Sequence, residues 1–596
     1  MTPRQFQRVI PAILAGQCAL LLTAPGGAIS GPFTPAPPVT GEAGMVATQE
    51  AHATRAAANV LSEGGNAIDA AVCAGFTLAV TLPRAGNIGG GGFMLIHLAA
   101  ENRQTSIDYR EKAPVAAHKD MFLNAKGDAD TNLSRSSRLA TGVPGTVRGL
   151  TLALREHGTI SLSRAMQPAI ELAENGFVVG ADLHESLKAR PGHFKDSPAA
   201  LKVYYKADGS APAIGSKFIQ KDLAKTLRLI ARKGADAFYC GAIAEAIVAD
   251  MKANGGIITK EDLTNYRPVV RKPVSGTYRD WKVVAMPPPS SGGIHLLQML
   301  NILERFPLEK YGHNSTDTIH LSVEAMRRAY ADRSRYLGDP DFSEIPSQAL
   351  ISKSYAKTLA EKISLSKATP SREVSPGLEP ENDLESNETT HFSIIDRWGN
   401  AVTNTYTLNF SYGSGIMVPG TGILLNNEMD DFSAKPGTPN AYGLLGGRRN
   451  AIEPGKRMLS SMTPTLLFKG DKHLVATGSP GGSRIITTVL QIVCNLVDHG
   501  MNISEATAAR RFHHQWFPDE VYTEPGLDPG TIASLQTRSH TVKIRSLMGA
   551  TQSVSMINGR FYGSSDPRRQ GALTIGLNGQ DEKNGLGRPA GQDQRE

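Results

Sequence analysis

Cysteine is scarce in this chain, with four in 596 residues and no C-x-x-C pair. Three of them are widely spaced, namely Cys73, Cys240 and Cys494. They do not predict a set of disulfides of the kind that stabilises small secreted domains. The missing C-x-x-C pairs also argue against structural zinc, and we expect neither a metal nor a cofactor. Cys73 and Cys494 stand in apolar runs, which predicts buried thiols.

Long basic runs and long apolar runs are also missing. The net charge is +7, but the basic residues are dispersed and never form more than short pairs such as Arg448-Arg449. A nucleic-acid-binding protein concentrates its charge in a patch or stripe, so we expect no nucleic-acid partner. Beyond the first 30 residues no apolar run reaches the roughly 18 residues of a membrane span, so we expect no membrane association of the mature form.

The first 30 residues have the layout of a secretory signal peptide. Arg4 and Arg8 give a positive start, an apolar run follows over 10–23, and small residues come next. Such a leader is too short and too poorly flanked to be a stable membrane span. The chain is therefore expected to be secreted into the periplasm, with a signal peptide over residues 1–30.

The rest of the chain alternates between helical and strand patterns. Helical periodicity covers 51–62 and 66–80, and a strand followed by a long helix is expected from 279 to 303. A polar, Pro-rich segment over 366–388 precedes a β-rich stretch, and a helix is predicted over 481–499. Residues 578–596 are polar and predict a disordered tail. This order favours a layered α/β chain with two sheets between helical layers.

A hairpin is predicted immediately after the polar segment. Strand patterns over 389–396 and 401–408 flank a turn over 397–400. Reflection about that turn places Thr389 opposite Thr407, within a residue, and cross-strand neighbours lie about 4.5–5.5 Å apart at Cβ. Thr407 is then able to orient the Thr389 hydroxyl. Threonine also has a high β propensity, so these two threonines are equally consistent with ordinary strand residues that have no catalytic role. The residues leave both interpretations open.

A threonine hydroxyl is a weak nucleophile unless a base activates it. One solution uses the threonine's own α-amine, which titrates at about 7.7–8.0 and is partly unprotonated at neutral pH. That solution requires a cut directly before the threonine. The exposed polar segment ending at Glu388 offers access for such a cut at the Glu388–Thr389 bond.

Several motifs, taken together and in order, resemble the γ-glutamyltransferase family. They extend from about residue 42 to 570, close to the whole mature chain. The motifs are Asp108-Tyr109-Arg110-Glu111, Pro287-Pro288-Pro289-Ser290-Ser291-Gly292-Gly293, Asp332-Arg333, Thr389-Thr390-His391, Thr407-Leu408-Asn409, Asn427-Glu428-Met429-Asp430-Asp431-Phe432, Leu459-Ser460-Ser461-Met462 and Gly478-Ser479-Pro480-Gly481-Gly482.

The resemblance implies an N-terminal-nucleophile hydrolase with a four-layer αββα sandwich. It also implies self-cleavage into two interlocked subunits, a large one over 31–388 and a small catalytic one over 389–577. These would form a heterodimer from one gene product.

The resemblance also implies a role for each matching residue. Thr389 would be the nucleophile, supported by Thr407, and backbone N–H groups of Gly481 and Gly482 would bind the oxyanion. The α-carboxylate of the substrate would be held by Arg110 and Ser460, with Ser461 beside them. The α-ammonium would be held by Asn409, Glu428 and Asp431. Tyr442, in a segment that resembles a lid, would cover the pocket.

The expected donors are glutathione, glutamine and related γ-glutamyl compounds, and the expected acceptors are water, amino acids and dipeptides. A cephalosporin or glutaryl acylase would share the fold and Thr389. A glutaryl group carries no α-ammonium, however, so that alternative has no need for both Glu428 and Asp431. A secreted amino-acid-binding protein without catalysis is a further alternative, but it would predict loss of Thr389, Thr407 or the Gly481-Gly482 pair.

Overall fold

A computed structural model describes residues 35–376, 389–433 and 447–579. Several of the expectations above fall wholly or partly on residues outside these ranges. Among them are the signal peptide over 1–30, most of the polar segment over 366–388 with Glu388, Tyr442 of the predicted lid, and residues 580–596 of the predicted tail.

The β-strands of the described residues are numbered in chain order. They are β1 Val39–Gly41, β2 Gly44–Thr48, β3 Gly91–Leu98, β4 Arg103–Asp108, β5 Phe177–Val178, β6 Lys217–Phe218, β7 Val269–Arg271, β8 Val274–Tyr278, β9 Trp281–Ala285, β10 Thr390–Asp396, β11 Ala401–Thr407, β12 Met417–Val418, β13 Ile423–Leu424, β14 Thr465–Lys469, β15 His473–Thr477, β16 Phe512–His513, β17 Val521–Thr523, β18 Val542–Ile544, β19 Gln552–Ile557, β20 Arg560–Ser565 and β21 Leu573–Gly576.

The α-helices of the same residues are numbered likewise. They are α1 Ala51–Ser62, α2 Ala67–Thr81, α3 Thr131–Ser136, α4 Thr146–His157, α5 Leu162–Asn175, α6 Ala181–Lys188, α7 Pro198–Tyr204, α8 Lys221–Lys233, α9 Asp236–Tyr239, α10 Ala242–Ala253, α11 Lys260–Asn265, α12 Gly292–Leu303, α13 Leu308–Tyr311, α14 Thr316–Tyr336, α15 Ser347–Leu350, α16 Lys353–Ala360, α17 Arg484–Val497, α18 Ile503–Ala508 and α19 Pro529–Thr537.

Two seven-stranded antiparallel sheets form the centre of the molecule. Sheet I has the order β1-β20-β19-β15-β14-β9-β8, and sheet II has the order β21-β2-β10-β11-β3-β4-β7. Both sheets mix strands from the two sides of the predicted cut. In sheet II the hairpin β10–β11 lies between β2 and β3. Cleavage before Thr389 would therefore leave two fragments joined by shared sheets.

The sheets stack face to face, with helices on both outer sides. Apolar residues from both sheets meet in one buried cluster, in which Ile395 and Ala401 of sheet II pack with Leu466 and Val554 of sheet I. The other face of sheet II is covered by α1, α2, α4, α5 and α8. The other face of sheet I is covered by α12, α14 and α17. This confirms the predicted αββα sandwich.

The first two helices show how local sequence sets these layers. Asn66 begins α2 with a reciprocal capping box, in which its side chain accepts from Asp69 N and Asp69 accepts from Asn66 N. Such a cap typically stabilises a helix by about 1 kcal/mol. α2 is buried along its whole length, since it lies between sheet II and the outer helices. Its bounds agree with the predicted 66–80 to within one residue.

Some predicted elements differ in extent from the observed ones. The helix predicted over 481–499 is observed as Arg484–Val497, and the strand predicted over 401–408 ends at Thr407. Strand β10 is buried at every position rather than at alternate ones, because both faces of sheet II are covered. Cys73 and Cys494 are buried free thiols, as predicted, and Cys240 is exposed. Among the described residues, none of the helices has the length and apolarity to cross a membrane.

Candidate active site

Thr389 lies at the entrance of the central hairpin of sheet II, directly before β10. In this hairpin Thr390 pairs with Tyr406, so the same register places Thr389 opposite Thr407, as predicted. Thr407 in turn pairs with Gly91 of β3. Both threonines are buried, each with 4 % of its surface exposed. The two hydroxyl-bearing residues therefore share one end of the sheet.

The face on which Thr389 lies is fixed by its neighbour two residues on. His391 Nδ1 lies 2.8 Å from Thr405 Oγ1, and the His391 ring fills the space that a side chain on Gly478 would need. Gly478 directly follows β15, so His391 points between the two sheets. Alternate strand residues share a face, and Thr389 therefore points the same way. Burial lowers the pKa of His391 to about 3, which keeps this ring neutral.

Gly481 and Gly482 stand in the loop that leads from β15 into α17. Their φ angles are +131° and +57°, backbone conformations that L side chains rarely adopt. The pair therefore presents main-chain groups where other residues would present side chains. A loop of this type, at the beginning of a helix, suits backbone N–H donors for an anion.

A turn after β11 connects Thr407 to the acidic segment. Asn409 has a φ of +77°, and its backbone N–H donates to Thr407 Oγ1 over 2.8 Å. Its side-chain amide donates to Asn427 O over 3.0 Å. The side-chain amide of Asn426 holds the same segment in place, because it donates to the carbonyl oxygens of Gly89 and Gly142. Asn409 and the 427–431 segment are thus brought together as predicted.

Arg110 forms the centre of a buried cluster of charges. Its Nη1 lies 2.5 Å from Glu428 Oε2, and its Nη2 also pairs with Asp431. Glu111 Oε2 lies 3.6 Å from the same guanidinium. Arg110, Glu111 and Glu428 are fully buried, while the Asp431 side chain keeps 18 % exposure. Three carboxylates therefore surround one cation.

Burial of these carboxyl groups shifts their pKa values upward. Burial raises the pKa of Glu111 to about 8, against the opposing effect of Arg110. Burial also raises the pKa of Glu428 and of Asp431. Among the described residues neither oxygen of Glu111 finds a hydrogen-bond partner, and Glu428 Oε1 has none either. The three carboxyl groups outnumber the one guanidinium that they surround.

Ser460 and Ser461 lie beside Arg110. The guanidinium donates from Nε to Met458 O over 3.3 Å, which places it next to the 458–461 segment. Ser460 N donates to Pro289 O, and Ser460 O accepts from the hydroxyl of Ser291 over 2.8 Å. The segment that carries both predicted serines thus lies beside Arg110.

The sequence interpretation missed three residues of this region. Glu111 adds the third carboxylate, and Arg333 donates to Ser461 Oγ over 3.3 Å and to Ser291 Oγ over 3.1 Å. All three stand inside motifs that had been recognised, Asp108–Glu111, Asp332-Arg333 and Pro287–Gly293. The sequence motifs therefore contained these residues, but the order of motifs along the chain does not show which side chains are in contact.

Two stacked antiparallel sheets between helical layers, with a threonine directly before a central strand, define an N-terminal-nucleophile hydrolase fold. The model of the family described as Gamma-glutamyltranspeptidase matches residues 53–575. The chain therefore belongs to the gamma-glutamyltranspeptidase family.

Individual relatives agree with this assignment. The chain is 50 % identical over 589 residues to the glutathione hydrolase proenzyme of Escherichia coli (strain K12), covering 96 % of this chain and 99 % of that protein. Among solved structures, the cephalosporin acylase from Bacillus halodurans superposes with a TM-score of 0.79 at 27 % identity, covering 93 % of this chain and 99 % of the other. The Helicobacter pylori gamma-glutamyltranspeptidase is 49 % identical with a TM-score of 0.54, covering 55 % and 93 %.

Proposed function

We propose that the protein is a γ-glutamyltransferase and glutathione hydrolase that uses Thr389 as its nucleophile. Its donors are glutathione, glutamine and related γ-glutamyl compounds, and its acceptors are water or the amine of an amino acid or dipeptide. The observation that carries the proposal is the buried cluster of Arg110 with Glu111, Glu428 and Asp431, at the end of the sheet that also bears Thr389.

The cluster has the charges that an α-amino-acid head group needs. A γ-glutamyl donor carries an α-carboxylate and an α-ammonium on one carbon. The guanidinium suits the carboxylate because its N–H groups form a planar fork. The ammonium supplies a positive charge for Glu428 and Asp431, and it would draw these two carboxylates away from Arg110. Substrate binding is thus an exchange of ion pairs, in which Arg110 turns to the substrate carboxylate while Glu428 and Asp431 turn to the ammonium.

The same hydroxyl is proposed to release the new N-terminus. Thr389 Oγ attacks the carbonyl carbon of Glu388, the peptide nitrogen leaves as the α-amine of Thr389, and water hydrolyses the resulting ester. The products are a large subunit ending at Glu388 and a small subunit beginning at Thr389. The interleaved strands of sheets I and II would keep the two subunits together as a heterodimer.

In turnover the free α-amine of Thr389 takes the proton of the hydroxyl as Oγ attacks the γ-carbonyl carbon of the donor. The developing oxyanion accepts from backbone N–H groups of Gly481 and Gly482, and each such donor is typically worth about 2.7–4 kcal/mol. Thr407 supports the nucleophile from the neighbouring strand. The proton passes to the leaving amine, and a water or acceptor amine then attacks the glutamyl ester to restore Thr389.

An acylase acting on glutaryl side chains is the second candidate function, favoured by the likeness to the cephalosporin acylase from Bacillus halodurans. A glutaryl group would satisfy Arg110 but leave Glu428 and Asp431 without a cation, so the charge cluster favours the glutamyl group. A binding protein without catalysis fits less well, because Thr389, Thr407, Gly481 and Gly482 are all present. Export to the periplasm is part of the proposal and rests on the leader pattern of residues 1–30.

One experiment tests the proposal. The purified protein is first examined by intact mass spectrometry and then incubated with glutathione, and released glutamate is measured. Two fragments and glutamate release are expected. If an uncleaved chain hydrolyses glutathione, the assignment of Thr389 as the nucleophile is wrong. If a cleaved chain releases no glutamate, the assignment of glutathione as a substrate is wrong.

A further inference from the structure

A cavity distinct from the Arg110 cluster opens on the helical layer outside sheet II. It has a volume of about 670 Å³ and lies between α4, the beginning of α5, the residues after α8, and Arg267-Pro268. This volume lies within the range of about 300–1,000 Å³ that is typical of small-molecule sites. We call it the basic cavity, and its lining includes Arg148, Arg155, Lys233 and Arg267.

Positive charge dominates the basic cavity. Four cationic side chains line it, and Asp236 is the one carboxylate among the lining residues. The Asp236 side chain is 79 % exposed and pairs with Arg148 over 3.2 Å. Arg155 pairs with Glu156, but both side chains are largely exposed, and exposed pairs are typically worth only about 0–1 kcal/mol. Cations that converge in a concave surface attract an anion, because the surrounding protein focuses their field.

Arg148 provides the inner end of the cavity. Its side chain is 11 % exposed, and its Nη1 donates to Tyr266 O over 2.6 Å. Its other terminal nitrogen, Nη2, pairs with the exposed Asp236, and a ligand oxyanion would compete with Asp236 for this group.

Part of the cavity wall is aliphatic. Leu152, Leu154, Ile160 and Leu162 line it beside the cations. A fully hydrated inorganic ion would leave this wall in contact with water. A ligand with an apolar body as well as an anionic group would cover the wall and remove its surface from water, at roughly 25 cal/mol for each Å².

Two aromatic rings separate the basic cavity from the proposed glutamyl site. The Arg148 guanidinium lies over the Tyr239 ring at 4.4 Å, and Tyr239 stacks on Tyr266 with the ring centres 5.8 Å apart. The Tyr266 hydroxyl donates to Arg110 O over 2.8 Å on the far side. The rings form a wall, so a molecule in the basic cavity does not occupy the space beside the Arg110 side chain.

We propose that the basic cavity binds a small organic carboxylate with an apolar body. The carboxylate is held by Arg148 and by the cations Arg155, Lys233 and Arg267 at the opening. The apolar body lies against the aliphatic wall. The site requires no turnover at Thr389.

The test is calorimetric titration of the mature protein with 1-naphthoate, in the presence and absence of saturating glutamate. Binding with one site per chain is expected under both conditions. The matched neutral probe, 1-naphthylmethanol, should bind at least tenfold more weakly. Because no donor is turned over, failure here is distinguishable from failure of the γ-glutamyl proposal.

A triple variant supplies the second readout. Arg155→Gln, Lys233→Gln and Arg267→Gln together remove three exposed charges without touching the buried Arg148, and should weaken naphthoate binding at least tenfold. The control variant, Lys202→Gln with Lys206→Gln and Lys217→Gln, removes the same charge from exposed positions elsewhere and should bind like wild type. The proposal is overturned if naphthoate does not bind or if glutamate displaces it. It is also overturned if the triple variant binds naphthoate as tightly as wild type does, or if wild type binds the neutral probe as tightly as it binds naphthoate.

Discussion

Arg110 and Glu428 form a buried ion pair, with Nη1 and Oε2 2.5 Å apart, across the predicted cleavage point. Arg110 belongs to the segment before the cut and Glu428 to the segment after it. Each proposed subunit would therefore contribute one charge of the glutamyl site. Neither fragment would contain the site alone, which explains why the sheets need to stay interleaved after cleavage.

Self-cleavage is expected to depend on the Thr389 hydroxyl. Thr389→Ala should remain a single chain, because it lacks the oxygen that attacks the Glu388 carbonyl. Wild-type protein should give two fragments, the smaller with Thr389 as its first residue, as measured by intact mass and N-terminal sequencing. Thr403→Ser, a change in the same hairpin, serves as a control and should still cleave. A Thr389→Ala protein that cleaves at the same bond would contradict the mechanism.

Arg110→Lys should raise the KM for γ-glutamyl donors while self-cleavage continues. Lysine keeps the charge but lacks the planar fork that suits a carboxylate. Loss of one hydrogen bond to a charged group, about 1.5–3 kcal/mol, corresponds to an increase in KM of roughly ten- to a hundredfold. Steady-state kinetics with γ-glutamyl-p-nitroanilide measures it. The control, Arg103→Lys, changes an exposed residue on β4 and should leave KM unchanged. Equal KM values for the two variants would show that Arg110 does not bind the donor.

Glutamyl and glutaryl substrates should be sharply discriminated. A glutaryl group leaves Glu428 and Asp431 without a cation, and an unpaired buried charge typically costs about 3–5 kcal/mol. Asp431 is partly exposed, so we expect about a hundredfold preference in kcat/KM for γ-glutamyl-p-nitroanilide over glutaryl-p-nitroanilide. Asp431→Asn should reduce this difference in kcat/KM, because it lowers kcat/KM for the glutamyl anilide. Equal rates with the two anilides would instead favour the acylase.

Glu111 should make stability depend on pH. Burial raises the pKa of this carboxyl to about 8 in the folded protein, from 4.5. Between these values the folded state holds a proton that the unfolded state has lost, so stability falls as the pH rises. Glu111→Gln cannot lose that proton. Its Tm relative to wild type should therefore rise steadily from pH 5 to pH 8 and then level off.

Thermal unfolding monitored by fluorescence across this pH range provides the measurement for Glu111. The control is Glu101→Gln, at an exposed position paired with Arg103. Hydrogen bonding to Arg103 lowers the pKa of Glu101, so its carboxyl is ionised throughout the range and its Tm difference should stay constant. A constant difference for Glu111→Gln as well would show that Glu111 is ionised in the folded protein at all these pH values.

The sequence by itself determined the hairpin and the layers. The two strand patterns around 397–400 already placed Thr389 opposite Thr407, because an antiparallel hairpin has one register for a given turn. Helical periodicity placed α1 and α2 to within a residue. The resemblance to the γ-glutamyltransferase family also grouped Arg110, Asn409, Glu428, Asp431 and Ser460, and the structure brings these residues together.

Only the tertiary structure decided how the charges are matched. Glu111 is adjacent to Arg110 in the chain, yet its burial without a hydrogen-bond partner depends on β3 and on the residues near Gly142, which pack against its side chain. Arg333 reaches Ser461 from a helix more than a hundred residues away. The basic cavity likewise joins residues 148, 233 and 267 from separate elements. Electrostatic effects depend on distance in space and on burial, and neither can be read from spacing along the chain.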